Sequence, residues 1–175
     1  LGEFIDILFN FYDCLGNVKY SIPINYKDLI HPLQVAKKKK KPIEKRYGFI
    51  VSDYGRLKPQ NPGTKGIIWA KNCKITLNKQ NLIVPGLNLQ YPYAGWLVDG
   101  EKTIETRTWK INEKLLNTYI AVIETPGKIG KKNGVDRARI IGYVKFKETK
   151  EYTNDTQWAI DKDKHKCNFK LDGTI

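Results

Sequence analysis

The chain is 175 residues long and 41% hydrophobic, with 31 Lys and Arg against 18 Asp and Glu and a formal net charge of +13 at pH 7. That length supports one or two domains, and no stretch approaches the roughly 18 uninterrupted apolar residues of a membrane span. Residues 1–12 carry Glu3 and Asp6 and lack a basic leader and a small-residue cleavage site, so neither a secretion signal nor a membrane partner is expected.

Three widely spaced cysteines, Cys14, Cys73 and Cys167, suit reduced thiols in an intracellular protein, cytoplasmic or organellar. His165 and Cys167 stand two ligands short of a zinc site, and no metal or cofactor is expected. Charge is uneven along the chain: residues 1–85 hold 15 basic and 6 acidic side chains, and residues 86–175 hold 16 and 12. Between Lys37 and Lys79, 13 basic side chains face only Glu44 and Asp53. Such a patch attracts polyanions by counterion release. The run Lys37, Lys38, Lys39, Lys40 and Lys41 reads equally as a solvated tract.

Residues 1–46 read as an N-terminal segment ending in a basic linker or arm. Within it Leu1, Ile5, Leu8, Phe9 and Tyr12 fit one face of a short buried helix. Pro23 and the His31–Pro32 pair then lead into the lysine run. Residues 47–84 read as a small, basic, β-rich module with short strands at Tyr47–Val51, Gly66–Ala70 and Lys74–Leu77, joined by a loop holding Pro59, Pro62, Gly63 and Gly66. The stretch Val51–Lys58 is similar to a short modular segment found beside homing-endonuclease nuclease domains, where it aids DNA binding. A tight Asp53-Tyr54-Gly55 turn between strands accounts for those residues equally.

Pro85-Gly86 marks a boundary, and residues 85–175 read as a third region. Leu87 and Leu89 alternate with Asn88 and Gln90 as a strand. Pro92 suits the first turn of a helix over Tyr93–Asp99, with Gly100 where a left-handed conformation ends it. Strands follow at Thr103–Trp109, Thr118–Thr125 and Arg139–Lys147, then a helix from Asp155 to Ile160 capped by Thr153 or Asn154. The order predicts an α+β fold, mainly β: a small β-barrel with helices packed on it, preceded by an irregular basic region with short strands.

The segment Leu89–Arg107 resembles the signature of the ASCH domain family of the PUA-like superfamily. In that signature a Pro-bearing helix ends in Gly and leads into a strand reading G-x-K-x-x-E-x-R, here Gly100, Lys102, Glu105 and Arg107. Ile140-Ile141-Gly142-Tyr143-Val144 is similar to the family's central strand, and the resemblance covers about residues 87–170. It implies a PUA-like barrel that binds RNA or another nucleic acid. The family's closing strand is not found after Asp172, so the domain is expected to be truncated or completed by other residues.

On a strand, Glu105 and Arg107 project from one face while Ile104 turns inward, with Lys102 at the mouth of the helix-to-strand turn. Together they present donors and acceptors to a base edge and its phosphate. Tyr91, Tyr93, Trp96 and Trp109 offer flat surfaces for an unstacked base, and Arg46 and Arg56 join Lys37–Lys41 in a phosphate-contacting set. Against this, Glu105 and Arg107 can pair on a solvated face, and Trp96 between Ala94 and Leu97 can belong to the core. Tyr152 and Trp158 are assigned to packing and His165 to the surface.

The expected function is nucleic-acid binding, RNA or DNA, within an RNA-processing or translation assembly. A hydrolase is the alternative, because some small ASCH proteins resemble 4-acetylcytidine amidohydrolases or ribonucleases. Resemblance to those hydrolases implies that the working groups are the strand Lys, a Thr three residues later and a downstream Glu. Lys102 is kept here, but Glu105 stands at the Thr position, Thr106 lies beside it, and no downstream Glu can be placed, so an enzyme is not expected. A third reading is a structural subunit of a ribonucleoprotein complex, anchored through the basic N-terminal segment.

Overall fold

The computed structural model describes residues 6–12, 18–25, 45–63 and 68–175, with side chains for the latter two stretches. The chain forms two compact units, residues 1–41 and 42–175. In the first, Asp6–Tyr12 (β1) pairs antiparallel with Val18–Asn25 (β2), Asp6 opposite Asn25 and Phe11 opposite Tyr20. This corrects the helix expected over residues 1–12. The stretch is rich in β-branched and aromatic residues, and a strand partner ten residues on supplies ladder hydrogen bonds that the helical spacing alone does not reveal. Lys37–Lys41 lie outside the described residues.

The second unit runs Arg46–Gln60 (β3), Trp69–Leu77 (β4), Gln80–Gln90 (β5), Tyr93–Val98 (α1), Ile104–Arg107 (β6), Ile120–Thr125 (β7), Gly127–Lys132 (α2), Arg139–Tyr152 (β8), Asp155–Ile160 (α3) and Lys162–His165 (α4). Its strands form one six-stranded sheet in the order β4-β5-β7-β8-β3-β6. Only β5 and β7 pair in parallel; the remaining neighbours are antiparallel. The fold is therefore mainly β with short helices, as expected, but among the described residues β4 and β6 are sheet edges and no ladder closes a barrel. Side chains bridge the distance instead. Gln60 Nε2 at the end of β3 donates to the Lys74 carbonyl of β4 at 2.7 Å, and the Trp69 and Trp109 rings meet at 5.8 Å.

Three local expectations are corrected by pairing at long range. Asp53-Tyr54-Gly55 is not a turn. It runs through β3 opposite Lys145, Val144 and Tyr143 of β8, whose 14 residues offer a ladder that outcompetes the local turn preference. The two short strands expected over 66–77 are one β4, with Asn72 at φ 57° in a bulge where the register shifts between Ala70 and Cys73. Pro85-Gly86 falls inside β5 rather than between modules, so residues 47–84 and 85–175 share a sheet. A ladder tolerates Pro85 because its neighbours Val84 and Gly86 make the registered pairs with Cys73 and Ala70.

Elements governed by local chemistry come out as read. α1 ends at Asp99 and Gly100 takes φ 79°, with the Tyr54 ring packed where a side chain would stand. Asn154 caps α3 by accepting from the Gln157 backbone N–H at 2.9 Å. α1 buries Ala94, Leu97 and Val98 in a cluster with Leu87, Leu89, Ile120, Val122, Ile141, Val144 and Phe146, which fixes the helix across the sheet. Tyr152 and Trp158 are buried in a smaller cluster with Cys167 and Leu171, as their assignment to packing requires.

Candidate functional site

The helix-to-strand turn after α1 is held by the Lys102 backbone N–H on the Trp96 carbonyl at 2.9 Å. This points the Lys102 side chain inward, where only 2% of it is exposed. Its Nζ donates to the His165 carbonyl at 2.6 Å and lies 3.4 Å from Glu105 Oε2. Two residues on, the pleat puts Arg107 on the same side as Glu105. Arg107 Nε approaches Glu105 Oε1 at 2.9 Å without an aligned hydrogen bond, while a terminal nitrogen donates to the Asn88 carbonyl at 2.9 Å.

These residues line a cleft of about 350 Å³, walled also by Asn88, Leu89 and Gln90 of β5, Thr125 of β7, Tyr93, Thr106, Cys167 and Phe169. The Tyr93 ring centroid is 5.8 Å from Lys102 Nζ. Burial, reinforced by the nearby Cys167 and Glu105 groups, raises the Tyr93 hydroxyl above its ordinary value. The back wall is a polar relay. Thr106 Oγ1 contacts Cys167 Sγ at 3.3 Å, the Cys167 N–H donates to His165 Nδ1 at 3.0 Å, and His165 Nε2 lies 3.0 Å from the Trp158 carbonyl. With Nδ1 accepting, the proton belongs on Nε2 and the imidazole is neutral. Burial pushes the Cys167 thiol up, so it is no thiolate at neutral pH.

Of the residues picked from sequence, Lys102, Glu105, Arg107 and Tyr93 come together here. Tyr91 packs toward Gly130. Trp96 is half-buried and meets Tyr93 edge-on at 5.4 Å. Trp109 lies behind Arg107, its ring 5.3 Å from Phe49 in the core. Arg56 makes a two-pronged pair with Asp99 at 2.8 and 2.5 Å on the surface. Arg46 is buried, donates to the Leu171 carbonyl at 2.7 Å and covers the Phe169 ring, which ties the C-terminal segment to β3.

His165 corrects its assignment to the surface: it is fully buried, stacked on Trp158 at 4.0 Å, with both ring nitrogens in contact with backbone groups. Among the wall residues not picked, Asn88 and Gln90 carried a signal as the polar alternates of β5. Thr125, Cys167 and Phe169 arrive from distant segments and carried none. The hydrolase reading needs a downstream Glu, and among the described residues lining the cleft the sole carboxylate is Glu105, which stands at the Thr position instead. The downstream Glu124 is bound to Arg139 at 2.9 and 3.0 Å.

Among the described residues no group of three His, Cys, Asp or Glu side chains is placed to hold a metal, and no helix is long and apolar enough to cross a membrane. No curated protein and no solved structure matches the chain. Residues 87–173 match a family model, that of the ASCH domain.

Proposed function

Because residues 87–173 belong to the ASCH domain family, a PUA-like family that points to RNA binding, we propose that this cleft holds one unstacked nucleotide of a single-stranded RNA. The observation that carries this reading is the Lys102–Glu105–Arg107 arrangement, in which a buried carboxylate and two cations face one cleft with hydrogen-bonding capacity in reserve. At about 350 Å³ the cleft lies at the lower end of ligand pockets, which start at about 300 Å³. That volume suits a base and its sugar. Glu105 accepts from base N–H groups, Arg107 donates to base or phosphate oxygens, and the Tyr93 ring gives the base an aromatic neighbour. Exposed Lys58, Lys71, Lys74 and Lys79, with Lys37–Lys41, add attraction without sequence preference. The protein then works in an RNA-processing or translation assembly.

Hydrolysis is not favoured, since the Thr106 hydroxyl contacts the Cys167 sulfur rather than a base. The test is a titration of parent, Arg107→Ala and Glu105→Ala against single-stranded RNAs of different sequence, with fold checked by melting. The variants should discriminate less between sequences while the salt dependence stays almost unchanged. Parent-like discrimination in both would refute the cleft.

A further inference from the structure

β7 delivers Thr125 to the cleft, and the chain passes through Pro126 directly into α2. A side chain at Gly127 would stand 3.3 Å from the Gln90 amide, which itself lines the cleft, and one at Gly130 would stand 3.0 Å from Tyr91 Cβ. α2 therefore flanks the rim, with Gly130 turned to the body of the fold. At about 100° per residue, positions two before and two after Gly130 point away from the body. These are Lys128 and Lys132, with Lys131 beside them, and all three are exposed.

Residues 127–139 hold Lys128, Lys131, Lys132, Arg137 and Arg139 against the single acid Asp136. Arg139 is engaged with Glu124, but no ion pair among the described residues involves the other four. In the basic stretch conspicuous in the sequence, Lys45 pairs with Glu151, Arg56 pairs with Asp99 and Arg46 is buried, while Lys58, Lys71, Lys74 and Lys79 are exposed and, like the α2 lysines, make no ion pair among the described residues. Lys128, Lys131 and Lys132 are three and four apart on a helix and repel one another. The carbonyl end of the helix favours Lys131 and Lys132, whereas Lys128 stands in the first turn, where a cation is disfavoured. A polyanion laid across this face removes the repulsion, and the exposed Ile129 between the lysines offers a base an apolar contact.

Resting on the cleft reading above, we infer that α2 and the turn to β8 carry the backbone phosphates of the RNA strand that flanks the nucleotide in the cleft. Six helical residues span about 9 Å, so with Arg137 beyond them the surface meets two or three phosphates. The experiment is a titration of a single-stranded RNA of about 12 nucleotides across a salt series, using parent, the triple variant Lys128→Gln/Lys131→Gln/Lys132→Gln, and Arg107→Ala. The triple variant should bind about tenfold or more weakly at low salt. Its log–log salt slope should be shallower by about 1.4, for two lost contacts at about 0.7 each on a single strand, with sequence discrimination retained. A parent-like slope in the triple variant overturns the α2 surface alone and leaves the cleft standing. A lost slope together with unchanged discrimination in Arg107→Ala supports the α2 surface and removes the cleft reading. A parent protein that binds no RNA overturns both.

Discussion

Asp161 and Glu105 are both buried carboxylates set between two cations, yet their oxygens are bonded differently. Asp161 accepts from Lys150 Nζ at 2.5 Å, Lys164 Nζ at 2.9 Å and the Tyr152 hydroxyl at 2.8 Å, while both lysines stay in solvent, 41% and 58% exposed. Glu105 faces Lys102 at 3.4 Å and Arg107 Nε at 2.9 Å off the bond axis, and its lysine is buried with its shortest bond to a backbone carbonyl. A carboxylate with three good donors joins α3 and α4 to β8 and has little left to offer a ligand. One held by poorly aligned cations keeps acceptor capacity facing a cleft. The same charge pattern thus makes a structural tie in one place and a recognition surface in the other, and bonding geometry decides which.

The largest expected effect breaks the tie. Asp161→Ala leaves the buried Tyr152 hydroxyl without its acceptor and should cost about 3 kcal/mol in urea unfolding. Glu105→Gln should cost less than half of that, because Lys102 keeps the His165 carbonyl and Arg107 keeps Asn88. An equal or greater cost for Glu105→Gln would erase the distinction.

Next in size is acid sensitivity. Burial pulls the His165 imidazole below its ordinary 6.5 and the Lys102 charge acts the same way, outweighing the Trp158 carbonyl that favours the proton. The unfolded chain takes up this proton near pH 6.5 and the fold resists it. The stability from His165 is therefore complete above that pH and is lost as pH falls toward the depressed folded value, by up to about 1.4 kcal/mol per pH unit. For Asp161, burial alone would push the carboxyl up, but hydrogen bonds from Lys150, Lys164 and Tyr152 hold it well below the usual range. Its contribution is present above its ordinary value of 3.8 and fades only below it. Urea midpoints should thus drop between about pH 7 and 5.5, and the drop should flatten in His165→Gln; a parent midpoint independent of pH there would rule out the His165 assignment.

The smallest effect is expected for Lys164→Gln. The side chain is 58% exposed and Lys150 still holds Asp161, so the loss should stay under about 1 kcal/mol, with RNA affinity unchanged. A large loss of affinity would mean that the recognition surface reaches α4.

Much of the site is legible along the chain because its grammar is short-range. The Gly100 turn, the Asn154 cap and the alternation of Glu105 and Arg107 depend on dihedral preferences and pleat over a few residues, and each appears where the sequence puts it. The same signals also determine that Lys102 follows a helix end, although the strand it was expected to begin starts only at Ile104.

What local grammar could not decide is which distant segment satisfies a given backbone or covers a given side chain. β3 continues through Asp53-Tyr54-Gly55, and β5 through Pro85-Gly86, because β8 and β4 supply ladders from far along the chain. His165 is buried because Trp158 stacks on it, and the wall of the cleft closes because Cys167 and Phe169 come back beside Thr106 and Arg46. Sequence by itself determined the turn and the charged triad. Tertiary structure decided their bonding, and with it whether a cation stays open to a ligand, since burial and hydrogen-bond saturation depend on partners that sequence distance hides.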